Sequence, residues 1–83
     1  MKLSQLFSDL SLPETLQDVL ITGLSSDSRY AEKGDLFFAL QGDTSHGLDY
    51  VETLRDKGVV AIFYEGDPDP RTIPTDIPVF KIQ

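Results

Sequence analysis

The sequence predicts an α/β domain built on a small mixed sheet of about four strands, with a βαβ crossover and an N-terminal amphipathic helix. Two near-continuous apolar runs, "DLFFALQ" and "VVAIFYE", carry most of this expectation. A strand with one wet face alternates apolar and polar residues, so runs without alternation read as strands covered on both faces. Between them, "LDYVETLRDKG" spaces Leu48, Val51 and Leu54 three apart, with Tyr50 added to the face, and ends on Lys57 and Gly58, a helix followed by its glycine cap. Strand, helix, glycine and strand in that order is the pattern of a right-handed parallel crossover.

The other elements follow along the chain. Leu3, Leu6, Phe7 and Leu10 fall at i, i+3, i+4 and i+7, which predicts an amphipathic helix that stops before Pro13. Its apolar stripe either covers an edge of the domain's own core or offers a face to a partner. "DVLITGL", Asp18 to Leu24, reads as a strand leading into "SSDSR". "YAEKG" then turns, with Gly34 free to take a positive φ. "GDPDPRTIPTDIP" holds four of the five prolines and reads as a loop without regular structure, and "VFKIQ" as a last short strand. The chain stops right after that strand, which predicts either an edge strand or a piece of something longer.

Size and composition narrow the possibilities. Eighty-three residues suffice for one domain, residues 1–83, since a chain of this length buries only roughly 60 to 65% of its unfolded surface. With no Cys there is neither a disulfide framework nor a thiolate metal site, in keeping with the cytoplasm. A net charge of −7 argues against nucleic acid and anionic membrane as partners. The N-terminus lacks a continuous apolar signal core, and no run approaches a membrane span.

The catalytic inventory is thin. Ser28, His46 and Asp27 could in principle form a triad, but no G-x-S-x-G elbow occurs. Neither G-x-x-x-x-G-K-[ST] nor G-x-G-x-x-G is present, and Asp67 and Asp69 lack the spacing and closing Glu of an EF-hand. Two polar loops remain. "GDTSHG" runs from a strand to a helix N-terminus, where backbone N–H groups and the helix dipole suit an anion. "SSDSR" follows the first strand, so in a parallel sheet both loops open on the edge where α/β proteins keep their ligands. The alternative is that Ser and Asp only cap a turn, with Arg29 pairing Asp35 or Glu32.

Residues 20 to 65 hold four pieces in one order: the hydroxyl-Asp-Ser-Arg turn from Ser25 to Arg29, the Gly34 to Phe37 strand entry, the Gly42 to Gly47 loop, and the strand after Gly58. This combination resembles the N-terminal domain of the Mur ligases, which build the peptidoglycan stem peptide, and most nearly the branch that adds the third residue. The branch adding the terminal dipeptide is the alternative within the family; its turn more often reads Thr-Asp-Thr-Arg. A free-standing acidic interaction module using the Leu3/Leu6/Phe7/Leu10 face is the alternative outside it.

The resemblance implies a domain that binds the uridine diphosphate end of a UDP-MurNAc-peptide and works with the central and C-terminal domains of the same chain. ATP and Mg2+ would serve the full-length parent, with neither cofactor held by these residues. Residue by residue, it implies that Ser28, with Ser26 beside it, contacts the uridine or diphosphate, and that Asp43, Thr44 and Ser45 lie in the loop that touches the nucleotide. Members commonly carry an acidic residue before the Gly47 position and a His after it, whereas here His46 precedes Gly47 and Leu48 follows. His46 is thus either a ligand contact or a surface-loop histidine. Asp43, whose carboxylate a diphosphate would repel, would act through its backbone N–H or on a sugar hydroxyl.

Overall fold

The structure is a computed structural model that describes residues 1–9, 11–42 and 45–82. Two central strands, β2 (Asp35–Ala39) and β3 (Ala61–Tyr64), are the apolar runs of the sequence. Their side chains alternate between two separate cores. Leu36, Phe38, Ala61 and Phe63 belong to one, and Phe37, Ala39, Ile62 and Tyr64 to the other. From Leu36 in β2 and Ala61 in β3 onward, each strand therefore needs apolar residues on both faces, which is why neither run alternates.

Strand β1 (Gly23–Ser25) flanks β2, and β4 (Val79–Lys81) flanks β3, giving a four-stranded sheet in the order β1-β2-β3-β4. All three pairings are parallel, with Leu24 opposite Leu36, Phe37 opposite Ile62, and Phe63 opposite Phe80. The expected strand number and crossover are present, but the sheet is parallel throughout instead of mixed. The reason lies in the connections. The turn after β1, the helical segment after β2 and the proline-rich loop after β3 each carry the chain back to the same end of the sheet. Among the described residues, antiparallel pairing outside the sheet occurs at the isolated bridges Lys2–Leu20 and Gln41–His46.

Helix α3 (Val51–Lys57) covers one face with Val51 and Leu54, joined by Leu48 from the 3-10 turn Gly47–Tyr50 that precedes it. It ends at Gly58, whose φ of 83° is the left-handed conformation anticipated from the sequence, as Gly34 also shows with φ 88°. Ile73 and Ile77 from the proline-rich loop complete this core. That loop, expected to be irregular, contains one 3-10 turn, Pro70–Thr72, capped by Asp69. It is pinned to α3 by Arg55, whose Nε and Nη2 reach the Asp76 carboxylate at 2.6 and 2.9 Å.

The opposite face is covered by two one-turn helices, α1 (Leu3–Leu6) and α2 (Glu14–Gln17), which contribute Leu3 and Leu16. Phe7 packs on the rings of Phe63 and Phe38, with centroids 5.1 and 6.5 Å away, so the N-terminal stripe serves the chain's own core. Leu6 is 38% exposed because α1 ends after one turn, and Leu10 lies outside the described residues. The first helix ends at Leu6 with Phe7 as its C-cap, well before Pro13, which instead occupies the N-cap position of a second helix not expected from the sequence. The strand expected over Asp18–Leu24 contracts to Gly23–Ser25. Val19 and Ile21 pair instead with the N-terminus, through Leu3 N–H to Val19 O at 3.0 Å and Ile21 N–H to Met1 O at 2.8 Å. No helix among the described residues is long and apolar enough to cross a membrane.

Replacing the fully buried Leu54 by Ala is expected to lower the unfolding free energy by about 2–5 kcal/mol in urea denaturation. The same change at Leu24, which is 55% exposed on an edge strand, is expected to shift it by no more than about 0.5 kcal/mol.

Candidate ligand-binding cleft

A parallel sheet sends the chain out of every strand at the same edge, and the two polar loops meet there. Past β1, Asp27 caps the 3-10 turn Ser28–Tyr30 by accepting from the Arg29 N–H at 2.9 Å. The Arg29 guanidinium forks back onto the same carboxylate, with Nε at 3.1 Å and Nη2 at 2.8 Å. Arg29 thus pairs with Asp27, not with Asp35 or Glu32. The buried Asp35 carboxylate instead accepts from the Glu32 N–H at 2.9 Å. The Arg29 side chain, followed by the Arg29 N–H, holds the Asp27 carboxyl at about 2, below its ordinary 3.8. Lys57 Nζ donates to the Arg29 carbonyl at 2.7 Å and ties the turn to the end of α3.

The second loop leaves β2 at Leu40 and folds back on itself. Gly42 N–H donates to Ser45 O at 2.8 Å, and Gly47 N–H to Leu40 O at 3.0 Å. Glycine is required at position 47 because a Cβ there would lie 2.6 Å from the Ala39 Cα, inside the strand's backbone. His46 is 5% exposed. Its Nδ1 accepts from the Leu48 N–H at 3.0 Å, and its Nε2 lies 2.6 Å from the Glu65 carbonyl. An amide N–H can only donate and a carbonyl only accept, so the ring is neutral with its proton on Nε2.

Between the loops lies a cleft of about 490 Å³. Ser26, Ser28 and Ser45 line it together with Phe37, Leu40 and Tyr50. The Asp27–Arg29 pair lies on its wall, already neutralised. A smaller groove of about 230 Å³ between α3 and the proline-rich loop is lined by Arg55 and Arg71. Both guanidiniums there are committed to carboxylates, Arg55 to Asp76 and Glu52 and Arg71 to Asp69.

Of the residues singled out from the sequence, the structure brings Ser26, Ser28 and Ser45 to one cleft. Asp43 and Thr44 lie outside the described residues. His46 is no surface-loop residue but a buried cap. The amides offered to an anion at the helix start are also spoken for: Gly47, Leu48 and Asp49 donate to Leu40 O, His46 Nδ1 and His46 O. Tyr50, assigned to the buried helix face, is 47% exposed. With three residues per turn in the 3-10 segment, Leu48 and Val51 share a face and Tyr50 swings away from it.

Comparison with known proteins adds to this geometry. The family profile described as Mur ligase family, catalytic domain, matches residues 20–80. Several curated relatives carry the name UDP-N-acetylmuramoyl-L-alanyl-D-glutamate--2,6-diaminopimelate ligase. The protein of Xanthomonas oryzae pv. oryzae is 43% identical over 77 residues, 92% of this chain and 15% of the relative. That of Coxiella burnetii is 39% identical over 66 residues, 80% of this chain and 14% of the relative. That of Pseudomonas aeruginosa is 34% identical over 83 residues, 100% of this chain and 16% of the relative. The chain thus spans only 14 to 16% of the length of these relatives.

A carboxyl held below its ordinary value stabilises the fold above pH 3.8 and loses that contribution as pH falls through about 2. Carbon-detected titration of the Asp27 carboxyl is expected to give a midpoint of about 2. The Arg29→Met variant is expected to return it towards 3.8.

Proposed function

The chain belongs to the Mur ligase family, and from that premise we propose that its cleft recognises the uridine diphosphate part of UDP-MurNAc-L-Ala-D-Glu. The domain would serve an ATP-dependent, amide-forming ligase of the cytoplasm that adds the third stem-peptide residue in peptidoglycan synthesis. The observation that carries this reading is the meeting of the Ser26–Arg29 turn and the Gly42–Gly47 loop on one cleft at the carboxyl edge of a parallel sheet. The relatives are named as 2,6-diaminopimelate ligases. That favours the third-residue branch over the one adding the terminal dipeptide.

In this role the Ser28 and Ser26 hydroxyls hydrogen-bond the uridine or diphosphate from one side, and Ser45 from the other. Tyr50 and Leu40 offer the apolar surface a pyrimidine needs. Asp43 and Thr44 share the second loop's role, Asp43 through its backbone N–H or on a sugar hydroxyl. His46 contributes from behind the loop. The net charge of −7 does not prevent anion binding, because solvent screens distant charges beyond about 8 Å at physiological salt.

The sequence has no P-loop segment to cradle the phosphates of ATP, through which Mg2+ would largely be held. On this reading both cofactors, and the binding of the incoming amino acid, belong to the central and C-terminal domains of the parent protein.

Titration of the 83-residue chain with UDP, followed by amide NMR, is expected to shift Ser26 to Arg29, Ser45 to Gly47 and Tyr50. Ser28→Ala is expected to weaken binding by about 1 kcal/mol, the usual worth of one hydrogen bond. Shifts confined to the Arg55 and Arg71 groove, or none at millimolar ligand, would contradict the assignment.

A further inference from the structure

The geometry points to His46 as a positioning residue that sets one wall of the cleft through its neutral, Nε2-protonated ring, without touching the ligand. The inference rests on reading the cleft as the ligand site. His46 is a buried titratable side chain with a hydrogen bond on each ring nitrogen, one local and one 19 residues away in sequence. The local bond, from Leu48 N–H to Nδ1, fixes the start of the turn that places Tyr50 on the cleft. The distant bond, from Nε2–H to the Glu65 carbonyl, fastens the same loop to the end of β3.

Glu65 is a firm anchor because it follows a strand paired on both sides, and its own N–H donates to Ala39 O at 3.2 Å. It also holds the other stem of the loop, since its carboxylate accepts from the Gln41 N–H at 2.9 Å. The wall residues Gly42 and Ser45 therefore lie between Gln41 and His46, both tied to Glu65, and Gly47 follows directly on the tied His46. Among the described residues, the charged groups bonded around His46 are Glu65 and Asp49, whose carboxylate accepts from the His46 N–H at 3.0 Å. Of the two bonds on the ring, only the one to Glu65 spans from the loop to the sheet, so it determines how closely the wall approaches the Ser26–Arg29 turn.

Two substitutions separate the bonds. The Asn amide oxygen takes the place of Nδ1, so His46→Asn keeps the cap on Leu48 and loses the Glu65 tie. The Gln amide nitrogen reaches the place of Nε2, so His46→Gln keeps the tie and loses the cap. Each variant gives up one buried hydrogen bond, so a loss of stability alone does not distinguish them.

The test measures amide hydrogen exchange at Gln41, Gly42 and Gly47 in the 83-residue chain, together with its affinity for UDP. With His46→Asn, exchange at these amides is expected to speed up about five-fold and UDP affinity to fall about five-fold, as for one lost hydrogen bond. His46→Gln is expected to keep exchange within about two-fold of the unaltered chain and to lose clearly less affinity than His46→Asn, since it disturbs only the turn that carries Tyr50. The inference is overturned if His46→Asn leaves exchange unchanged, if exchange speeds up without loss of affinity, or if both variants lose affinity equally. Should the unaltered chain bind no UDP, the cleft reading fails by itself. The exchange comparison then decides alone whether the His46–Glu65 bond positions the wall.

Discussion

The parallel pairing of β2 with β3, dry on both faces, is the constraint on which the rest of the structure depends. Because each strand buries a side chain on either side at every step, the chain must supply two layers of cover. One is α3 with the proline-rich loop, and the other is α1 with α2. Because the pairing is parallel, the connection between β2 and β3 must cross over, and the crossover starts with a loop at the sheet's carboxyl edge. The cleft is thus a consequence of covering the sheet. The polar turn after β1 reaches the same edge for the same reason.

The chemistry of the cleft differs from a generic helix-terminus anion site. The amides of Gly47, Leu48 and Asp49 are consumed in closing the loop against Leu40 and His46. Arg29, the cation nearest the loops, is neutralised by Asp27 within its own turn. Among the described residues, what lines the cleft besides that pair is serines and glycines with the apolar surface of Phe37, Leu40 and Tyr50. His46 fits this picture. A carboxylate could cap Leu48 as its Nδ1 does, but only a side chain that also carries a donor could hold Glu65 at the same time.

Much of this was legible in the residues. The uninterrupted runs around Phe37 and Ile62, the three-residue spacing of Leu48, Val51 and Leu54, and Gly58 after Lys57 led to the sheet, the crossover and the helix end. The order of the polar loops placed Ser26, Ser28 and Ser45 on one edge. What stayed hidden depends on contacts between distant segments. β1 is short because Val19 and Ile21 pair with Met1 and Leu3, which no local pattern encodes. Tyr50 faces the cleft because the helix begins as a 3-10 turn, which changes the period from 3.6 to 3 residues at that point. His46 is buried because the Glu65 carbonyl, at the end of another strand, lies within reach of its ring.

The central claim is that the two carboxyl-edge loops form one ligand site. A crystal structure of the chain with UDP tests it most directly. The expected result is the nucleotide in the cleft, with the Ser28 hydroxyl in hydrogen-bond reach, the pyrimidine against Tyr50, and the Asp27–Arg29 pair intact. A nucleotide bound elsewhere, as in the groove between Arg55 and Arg71, would contradict it.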